Sequence, residues 1–387
     1  MDTEKLYEKD PYLKTFSATV TSCRPEKQLW LVTLDRTAFF PEGGGQPYDI
    51  GTLDEIPVQQ VHLKNGELLH YTCQPLAVGT QVTGRIDWVR RFDLMQQHSG
   101  EHIISGLIHQ KYGYDNVGFH LGLENMTIDL SGELDMDQLA EIEAAANAYI
   151  WENHPTEISC PPPEELSTLP YRSKKELTGV VRIVRFPGAD LCACCGTHVA
   201  YTGEIGLVKL LSCQRFREGV RIELLCGKRA VAYCSTILAQ NHQTSVLLSA
   251  KVRETAAAVR RLYEEHQQQI YRLTELENQQ FVRQAQALAG KGDVLLFEDG
   301  LSPDGVRRLA IAVLEQCGGL CAVFSGDDAN GYKYALGQKG GDLRVLVQQL
   351  NSSLNGRGGG KPFFAQGSVQ AARAAIEAFF QNKKALC

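Results

Sequence analysis

The sequence has no uninterrupted apolar run long enough to cross a bilayer, although 43% of its 387 residues are hydrophobic. Its N-terminus, Met-Asp-Thr-Glu-Lys, begins acidic, and no apolar segment typical of a secretory signal follows it. Positive charge is not in excess: the formal net charge is -6, which argues against a protein that coats nucleic acid but allows a local basic face. We expect a globular, cytoplasmic protein with no membrane partner, in which any contact with nucleic acid would be confined to local basic patches.

Disulfides are rare in a reducing compartment, so the 12 cysteines are expected to be thiols or metal ligands. Nine of them are scattered singly, which is typical of buried thiols. Only Cys192, Cys194 and Cys195 form a cluster.

The chain is too long for one comfortable core, which predicts two or more domains. Residues 1–90 alternate apolar and polar positions between turns, which predicts a small β-barrel-like domain. Residues 91–230 mix helical and strand patterns and predict an α+β core. Within it we predict helices at 91–113 and 135–151 and strands at 180–186 and 206–211.

Residues 231–289 lack glycine and proline and are rich in helix-forming residues. Their apolar positions follow an interrupted three-and-four spacing, which predicts a helical arm with an imperfect coiled-coil face. Beyond Gly290, strand and helix patterns alternate and predict a small α/β domain over 290–387. The expected fold class is α+β, with these four regions.

Two pairs of metal-ligand residues lie about a hundred positions apart. His98 and His102 are four apart on a predicted helix and therefore share one face. Cys194 and His198 repeat this spacing beside a glycine. Either pair alone is a weak signal because short motifs match by accident. Two half-sites of two ligands each predict one tetrahedral zinc ion per chain.

A zinc ion with four protein ligands can be purely structural, because catalytic sites usually keep one position for water or substrate. Cys192 and Cys195 are near enough to compete for the metal, but we interpret both as lying outside the ligand set. A glycine-rich loop at 39–51 favours a functional site, because successive glycines let the backbone approach a ligand and present amide donors.

Together these motifs resemble the editing domain of alanyl-tRNA synthetase and, more closely, its free-standing relatives, the long-form AlaX proteins. A C-terminal stretch also resembles the glycine-rich signature of the domain that alanyl-tRNA synthetase shares with DHH phosphoesterases. In this sequence Cys195 stands where the family commonly has glycine, and Ser-Gly-Glu fills the histidine pair. The resemblance is carried by Phe39–Gly51, His98-Ser-Gly-Glu-His102, Gly118-Phe-His-Leu-Gly122, Thr127-Ile-Asp-Leu130, Cys194-Cys-Gly-Thr-His198, Thr202-Gly-Glu-Ile-Gly206 and Leu354-Asn-Gly-Arg-Gly-Gly-Gly-Lys361.

The resemblance implies hydrolysis of the ester that joins a wrong amino acid, serine or glycine, to the 3′-terminal adenosine of alanine tRNA. Zinc would either polarise this ester or orient the ribose and a water, and both alternatives stay open. A different aminoacyl-tRNA substrate also stays open.

Further roles follow from the same resemblance. Donors to the oxyanion would be the amides of Gly43, Gly44 and Gly45 with the Gln46 side chain, and Glu101 would be a general base or proton shuttle, or else a plain helix carboxylate. Residues expected to bind substrate are Thr37, which would hydrogen-bond a seryl hydroxyl, together with Gly43, Asp49 and His120.

Clustered basic residues predict a modest tRNA surface with salt-dependent affinity and no sequence reading. The C-terminal domain is expected to hold the tRNA elbow or to mediate dimer contacts, and a homodimer through this domain or the helical arm is expected. The candidate RNA-binding residues are Arg90, Arg91, Arg217, Arg357 and Lys361, with Arg85, Arg172, Lys174, Lys175, Arg215 and Arg221 as further basic positions.

Two other functions fit parts of the sequence. His98-Ser-Gly-Glu101-His102 satisfies the inverted zinc-protease pattern, although the distant cysteine and histidine would overfill such a site. A non-catalytic tRNA-binding module with a structural zinc is the second alternative, and the glycine-rich loop argues against it.

Overall fold

The computed structural model describes residues 3–122, 124–173 and 179–384. It contains 39% helix and 34% strand, which confirms the predicted α+β composition. The chain divides into two compact units, residues 1–243 and 244–387, and the finer division into four regions stays a prediction. No helix in the described part of the chain is both long and apolar enough to cross a membrane.

The first unit begins with a β-rich segment. Its elements are β1 (Glu4–Lys5), α1 (Leu6–Lys9), β2 (Thr15–Glu26), β3 (Leu29–Leu34), β4 (Arg36–Thr37), β5 (Gly51–Leu53), β6 (Ile56–Lys64), β7 (Glu67–Thr72) and β8 (Gln81–Ile86). Strands β2, β3, β7, β6, β5 and β8 pair in this order into a closed barrel. Side chains of β2 alternate between solvent and the barrel interior, where Phe16 and Val20 are buried, as the period of two requires.

One long helix, α2 (Trp88–Tyr112), follows the barrel. It begins after Asp87, whose side chain accepts a hydrogen bond from the Arg90 amide, and ends at Gly113 in the left-handed conformation. Every residue from Leu94 to Gly106 is buried. A helix that is covered on all sides shows no apolar stripe in sequence, and its polar side chains must find partners inside the protein.

The remainder of the first unit surrounds this helix. Its elements are β9 (Asn116–Leu121), β10 (Met126–Leu130), α3 (Met136–Trp151), β11 (Glu157–Ser159), α4 (Pro163–Leu166), β12 (Ile183–Phe186), β13 (Asp190–Ala193), β14 (Val208–Phe216), β15 (Gly219–Cys226) and α5 (Gly227–Leu247), which continues past the unit boundary. One sheet has the order β14-β15-β10-β9, and another has the order β11-β12-β13. Helix α2 contacts β9, β13 and β15, so side chains from three separate stretches of chain meet along it.

The second unit contains a long helix and a five-stranded sheet. Its elements are α6 (Thr255–Ala287), β16 (Gly292–Glu298), α7 (Pro303–Cys317), β17 (Gly318–Asp327), β18 (Gly331–Gln338), α8 (Arg344–Ser353), β19 (Gly356–Lys361), β20 (Phe364–Val369) and α9 (Arg373–Lys384). The strands pair in the order β16-β17-β18-β20-β19, which leaves the glycine-rich β19 at an edge. The C-terminal end of α6 packs into this unit through Phe281 and Ala285.

A buried ion pair fixes the glycine-rich loop to the start of α2. The Arg91 side chain is fully buried and donates to both carboxylate oxygens of Asp49, to the carbonyl of Ala38 and to the carbonyl of Pro11. Asp49 also accepts from the Phe40 amide at 2.6 Å. The expected roles of Arg91 in RNA binding and of Asp49 in substrate binding are therefore corrected: both residues are structural and inaccessible.

Replacing Arg91 with Met should lower the free energy of unfolding by about 3–5 kcal/mol, because it leaves the buried Asp49 carboxylate without its counter-charge. The matched control is Arg36→Met, which removes an exposed ion pair with Glu4 and should cost less than about 1 kcal/mol. Urea denaturation measures both, and Arg91→Met combined with Asp49→Leu should recover part of the loss. Equal effects of the two single variants would contradict this interpretation of the pair.

Candidate metal centre

Four predicted ligands meet at one place in the first unit. The donor atoms of His98, His102, Cys194 and His198 all lie within 4.8 Å of one another. The Cys194 sulfur is 3.4 Å from Nε2 of His98 and 3.4 Å from Nε2 of His198. The histidines are buried and Cys194 is half-buried. Helix α2 supplies one pair, as the four-residue spacing predicted, and the loop after β13 supplies the other.

Each histidine is held through the ring nitrogen that faces away from the cluster. Nδ1 of His98 bonds Oε1 of Gln46 at 2.9 Å, and Nδ1 of His102 bonds Oδ2 of Asp190 at 2.8 Å. Nδ1 of His198 is 3.2 Å from the Ser99 hydroxyl. The Gln46 and Asp190 oxygens can only accept, so they fix the tautomers of His98 and His102 that leave Nε2 free to bind a metal, and such partners are typical of metal sites.

The electrostatics of the cluster suit a metal ion. Burial raises the pKa of the Cys194 thiol, but the surrounding imidazoles of His98, His102 and His198 outweigh burial and hold this pKa well below its usual range. Burial also lowers the pKa of His198, to about 3. Burial lowers the pKa of His102, but the Cys194 thiolate and the Asp190 carboxylate outweigh burial and raise this pKa well above its usual range, so metal binding displaces a proton from that ring. A set of three nitrogens and one sulfur fits zinc.

Asp190 connects the cluster to a cation. Its second oxygen accepts from Nε of Arg172 at 2.8 Å. Burial raises the pKa of Asp190, but the bonds from His102 and Arg172 outweigh it and lower this pKa. Arg172, one of the basic positions considered for RNA, therefore supports the cluster. Cys192 lies within 4.8 Å of His102 and Asp190 as a separate group, and Cys195 is exposed.

The glycine-rich loop forms a tight turn against the cluster. The amides of Gly43 and Gln46 each donate to the other's carbonyl, at 3.1 and 3.0 Å, and Gly44 and Gly45 take positive φ between them. A Cβ on Gly45 would lie 2.4 Å from the Phe119 ring, which itself stacks on His98 at 5.3 Å. The turn uses the Gly43 amide, so the amides of Gly44 and Gly45 are the ones available to a substrate.

Two residues expected to act on the substrate, Gln46 and Thr37, are bonded to other protein groups in the structure. The buried Gln46 amide nitrogen donates to the Thr197 hydroxyl at 2.8 Å, so this side chain positions His98 and the second ligand loop. The Thr37 hydroxyl is fully buried and bonded to Nε2 of His70 at 2.8 Å. A serine substrate therefore does not meet Thr37 in this conformation.

His120 is exposed on β9, and its neighbour Phe119 is the residue that stacks on His98. Successive side chains of a strand point to opposite faces, so only one of the two can face the cluster. Phe119 therefore faces the cluster, and the substrate contact expected of His120 stays a prediction. The sequence motifs alone assigned no role to Phe119, although the alternation of side chains along the Gly118–Gly122 motif was a signal that could have indicated it.

Glu101 lies beside the cluster in a buried polar group. One of its oxygens accepts from the Ser105 hydroxyl at 2.7 Å and from the Asn116 amide, and the other is 4.0 Å from Nε2 of His102. With 2% of its surface exposed, Glu101 is not a solvated helix carboxylate. The sequence does not reveal the contribution of Asn116, because that residue follows the helix in a separate strand.

The predicted RNA-binding residues lie in both units. Arg90 is half-buried and donates to the carbonyl of Tyr48 at 3.2 Å. Arg217 is exposed in the β14–β15 turn, and Arg357 and Lys361 are exposed on edge strand β19 of the second unit. Lys174 and Lys175 lie outside the described residues.

Comparisons with known proteins point to one group. A family model for the threonyl and alanyl tRNA synthetase second additional domain matches residues 181–223, and one for the DHHA1 domain matches residues 284–385. The chain is 29% identical to the alanyl-tRNA editing protein AlaX-L of Pyrococcus horikoshii, over 95% of both chains. It is 32% identical to the alanyl-tRNA editing protein Aarsd1 of Mus musculus, over 66% of this chain and 67% of that protein. It is also 32% identical to the alanine-tRNA ligase of Natronomonas pharaonis, over 95% of this chain and 42% of the ligase.

Replacing Gly196 with Ala should weaken metal binding about 10–100-fold, the usual cost of disturbing the support of a ligand. A Cβ at this position would lie 2.2 Å from Cε1 of His98 and 2.9 Å from Oε1 of Gln46, so the imidazole must move. The control is Gly43→Ala, whose Cβ would meet only the Pro41 carbonyl at 4.0 Å. Competition with a chromophoric zinc chelator measures both affinities, and an unchanged affinity in Gly196→Ala would rule out this packing constraint.

Proposed function

The chain belongs to the family of alanyl-tRNA editing proteins, and we propose that it cleaves serine or glycine from wrongly charged alanine tRNA at a zinc centre. Members of this family are aminoacyl-tRNA deacylases, so the chain is a hydrolase that acts in translation fidelity with tRNA as its partner. The metal, the specific substrates and the roles of individual residues are the parts that we propose.

The observation that carries the proposal is the convergence of a metal-binding cluster and a backbone turn. The four donors lie together, and the Gly43–Gln46 turn reaches them through the hydrogen bond that the Gln46 side-chain oxygen accepts from His98. A purely structural zinc would need no such turn beside it. Exposed amides next to a candidate metal are the arrangement that ester hydrolysis requires.

His98, His102, Cys194 and His198 would hold one zinc ion per chain. When bound, zinc supplies a Lewis acid that can polarise the ester or lower the pKa of a water. The donor chemistry fits this ion because the surrounding imidazoles outweigh burial and hold the pKa of the Cys194 thiol well below its usual range, and His98 and His102 are each oriented by a hydrogen bond at Nδ1.

The chain's own groups would bind and orient the substrate. We assign stabilisation of the oxyanion to the Gly44 and Gly45 amides, since the turn does not use them. Glu101 would accept the proton of the attacking water, held in place by Ser105 and Asn116. Gln46 and Asp190 would hold the imidazoles of His98 and His102 in their orientations during the reaction.

Arg90, Arg217, Arg357 and Lys361 would contribute phosphate contacts, which position tRNA without reading its sequence. A homodimer is proposed through α6. This helix carries an exposed apolar stripe, and sedimentation velocity of the full chain would detect the dimer. The stripe consists of Val259, Leu262, Tyr263, Ile270, Leu273 and Leu276.

The zinc-loaded chain should release labelled serine or glycine from alanine tRNA and should leave correctly attached alanine in place. Cys194→Ala should abolish release because it removes the thiolate ligand, while Cys213→Ala, which changes a thiol away from the cluster, should not. Thin-layer chromatography of the released amino acids measures the rates. Tight tRNA binding with no release of any amino acid would replace this proposal with a non-catalytic binding module.

Glu101→Gln should lower the deacylation rate about 10²–10⁴-fold, because an amide accepts no proton from water. Metal content should stay unchanged, since Glu101 is outside the four-donor set. The assay compares initial rates and zinc content of the variant with wild type. A variant of normal rate would exclude a catalytic role, and cleavage of a peptide by wild type but not by the variant would favour the protease alternative.

A further inference from the structure

A row of rings and cations lies on the barrel beside the Gly43–Gln46 turn. It consists of Tyr48, His62 and Tyr71, flanked by Arg90 and Lys64, and we call it the aromatic row. We propose that this row binds the unpaired 3′ strand of tRNA as it leaves the metal centre. The inference rests on the proposed function, because that function brings the 3′-terminal ester to the metal.

The three rings follow one another at contact distance. The centroids of Tyr48 and His62 are 5.3 Å apart, and those of His62 and Tyr71 are 5.4 Å apart. The Arg90 guanidinium lies over Tyr48 at 5.9 Å, and Nζ of Lys64 lies over Tyr71 at 5.5 Å. The row therefore has a cation at each end.

The members differ in how they face solvent. Lys64 is exposed, while Tyr48, His62 and Arg90 are half-buried and Tyr71 is buried. Bases would therefore contact Tyr48 and His62, and Tyr71 would fix the position of Lys64 through the hydrogen bond that its hydroxyl accepts at 2.8 Å.

One carboxylate also belongs to this surface. Glu42 is 3.4 Å from Nδ1 of His62, with 60% of its side chain exposed. Nε2 of the same ring is 3.3 Å from Oε1 of Gln60. A second carboxylate, Glu26, lies near Lys64, whose pKa is raised by its hydrogen bond to Tyr71 and also by this neighbouring charge. The exposed Glu42 side chain can turn away when a phosphate approaches.

The row is connected to the metal centre by short lengths of backbone. Tyr48 follows Gln46 by two residues, and Gln46 bonds the candidate ligand His98. The Glu42 amide donates to the carbonyl of Val61 at 3.1 Å, which fixes the loop beside β6, the strand that carries His62 and Lys64. A strand whose last ribose is at the metal therefore meets Tyr48 first and Lys64 last.

The chemistry of the row fits a single strand of nucleic acid. Aromatic faces stack on any base, and cations along the same groove hold the backbone, so such surfaces bind without sequence preference. A duplex presents its bases only at the groove edges and cannot stack on the rings in this way.

Photo-crosslinking of the full, zinc-loaded chain tests the proposal. The probe is uncharged alanine tRNA with 4-thiouridine in place of one of the two cytidines of its terminal CCA sequence. We expect crosslinks in peptides that contain Tyr48 or His62. Crosslinks confined to other peptides would overturn the proposal. The absence of any crosslink while the tRNA is bound would also overturn it. Efficient competition with the tRNA by a peptide of unrelated sequence would indicate that the partner of the row is a protein.

Two variants give a second readout by measuring tRNA affinity against salt. Lys64→Gln should reduce the slope of log affinity against log salt by about one, as expected for one lost phosphate contact. The matched Lys27→Gln, in the β2–β3 turn of the same barrel, should leave it unchanged. His62→Ala should weaken binding of intact tRNA but not of tRNA lacking the CCA end; equal weakening of both would count against the row.

The crosslinking experiment and the deacylation assay can give independent results. Crosslinks in the aromatic row without deacylation would support the binding surface and contradict the proposed hydrolase. Deacylation with crosslinks elsewhere would support the hydrolase and contradict the binding surface.

Discussion

The hydrogen bond between Gln46 and His98 is the contact on which the candidate centre depends. It joins the glycine-rich turn to helix α2, and the same Gln46 side chain also donates to Thr197 and accepts from the Thr197 amide. One buried amide group thus ties together the barrel loop and both halves of the ligand set. Its cost of burial is offset because each of its polar atoms has a partner.

Near the cluster, charged side chains of the first unit are removed from water in ion pairs. Arg91 and Asp49 form a fully buried ion pair, and the half-buried Arg172 pairs with the buried Asp190. Such pairs add little net stability, but removing one partner is costly, so they define one arrangement of loops around the donors.

Local spacing explains what the sequence could predict. Four-residue spacing located the ligand pairs, and the predicted helices at 91–113 and 135–151 correspond closely to α2 (Trp88–Tyr112) and α3 (Met136–Trp151). The predicted arm at 231–289 is divided by a break between α5 and α6 near Ser249, a residue with positive φ. No glycine or proline marks this break in the sequence.

Contacts between distant stretches could not be read from spacing. Arg91 looked like an RNA contact because its charge is visible in sequence, while its partner Asp49 lies 42 residues earlier. Asp190 reaches His102 across 88 residues, and no local pattern indicates that bond. The fine assignment of roles therefore depended on knowing which polar residues are buried.

The placement of the ligands also has a consequence in time. His98 and Cys194 are separated by 96 positions along the chain. At a synthesis rate of roughly 5–20 residues per second, the first pair waits about 5–20 s before the second leaves the ribosome. During that interval the two histidines have neither thiolate nor third imidazole, so a metal ion can be held tightly only after most of the first unit has been made.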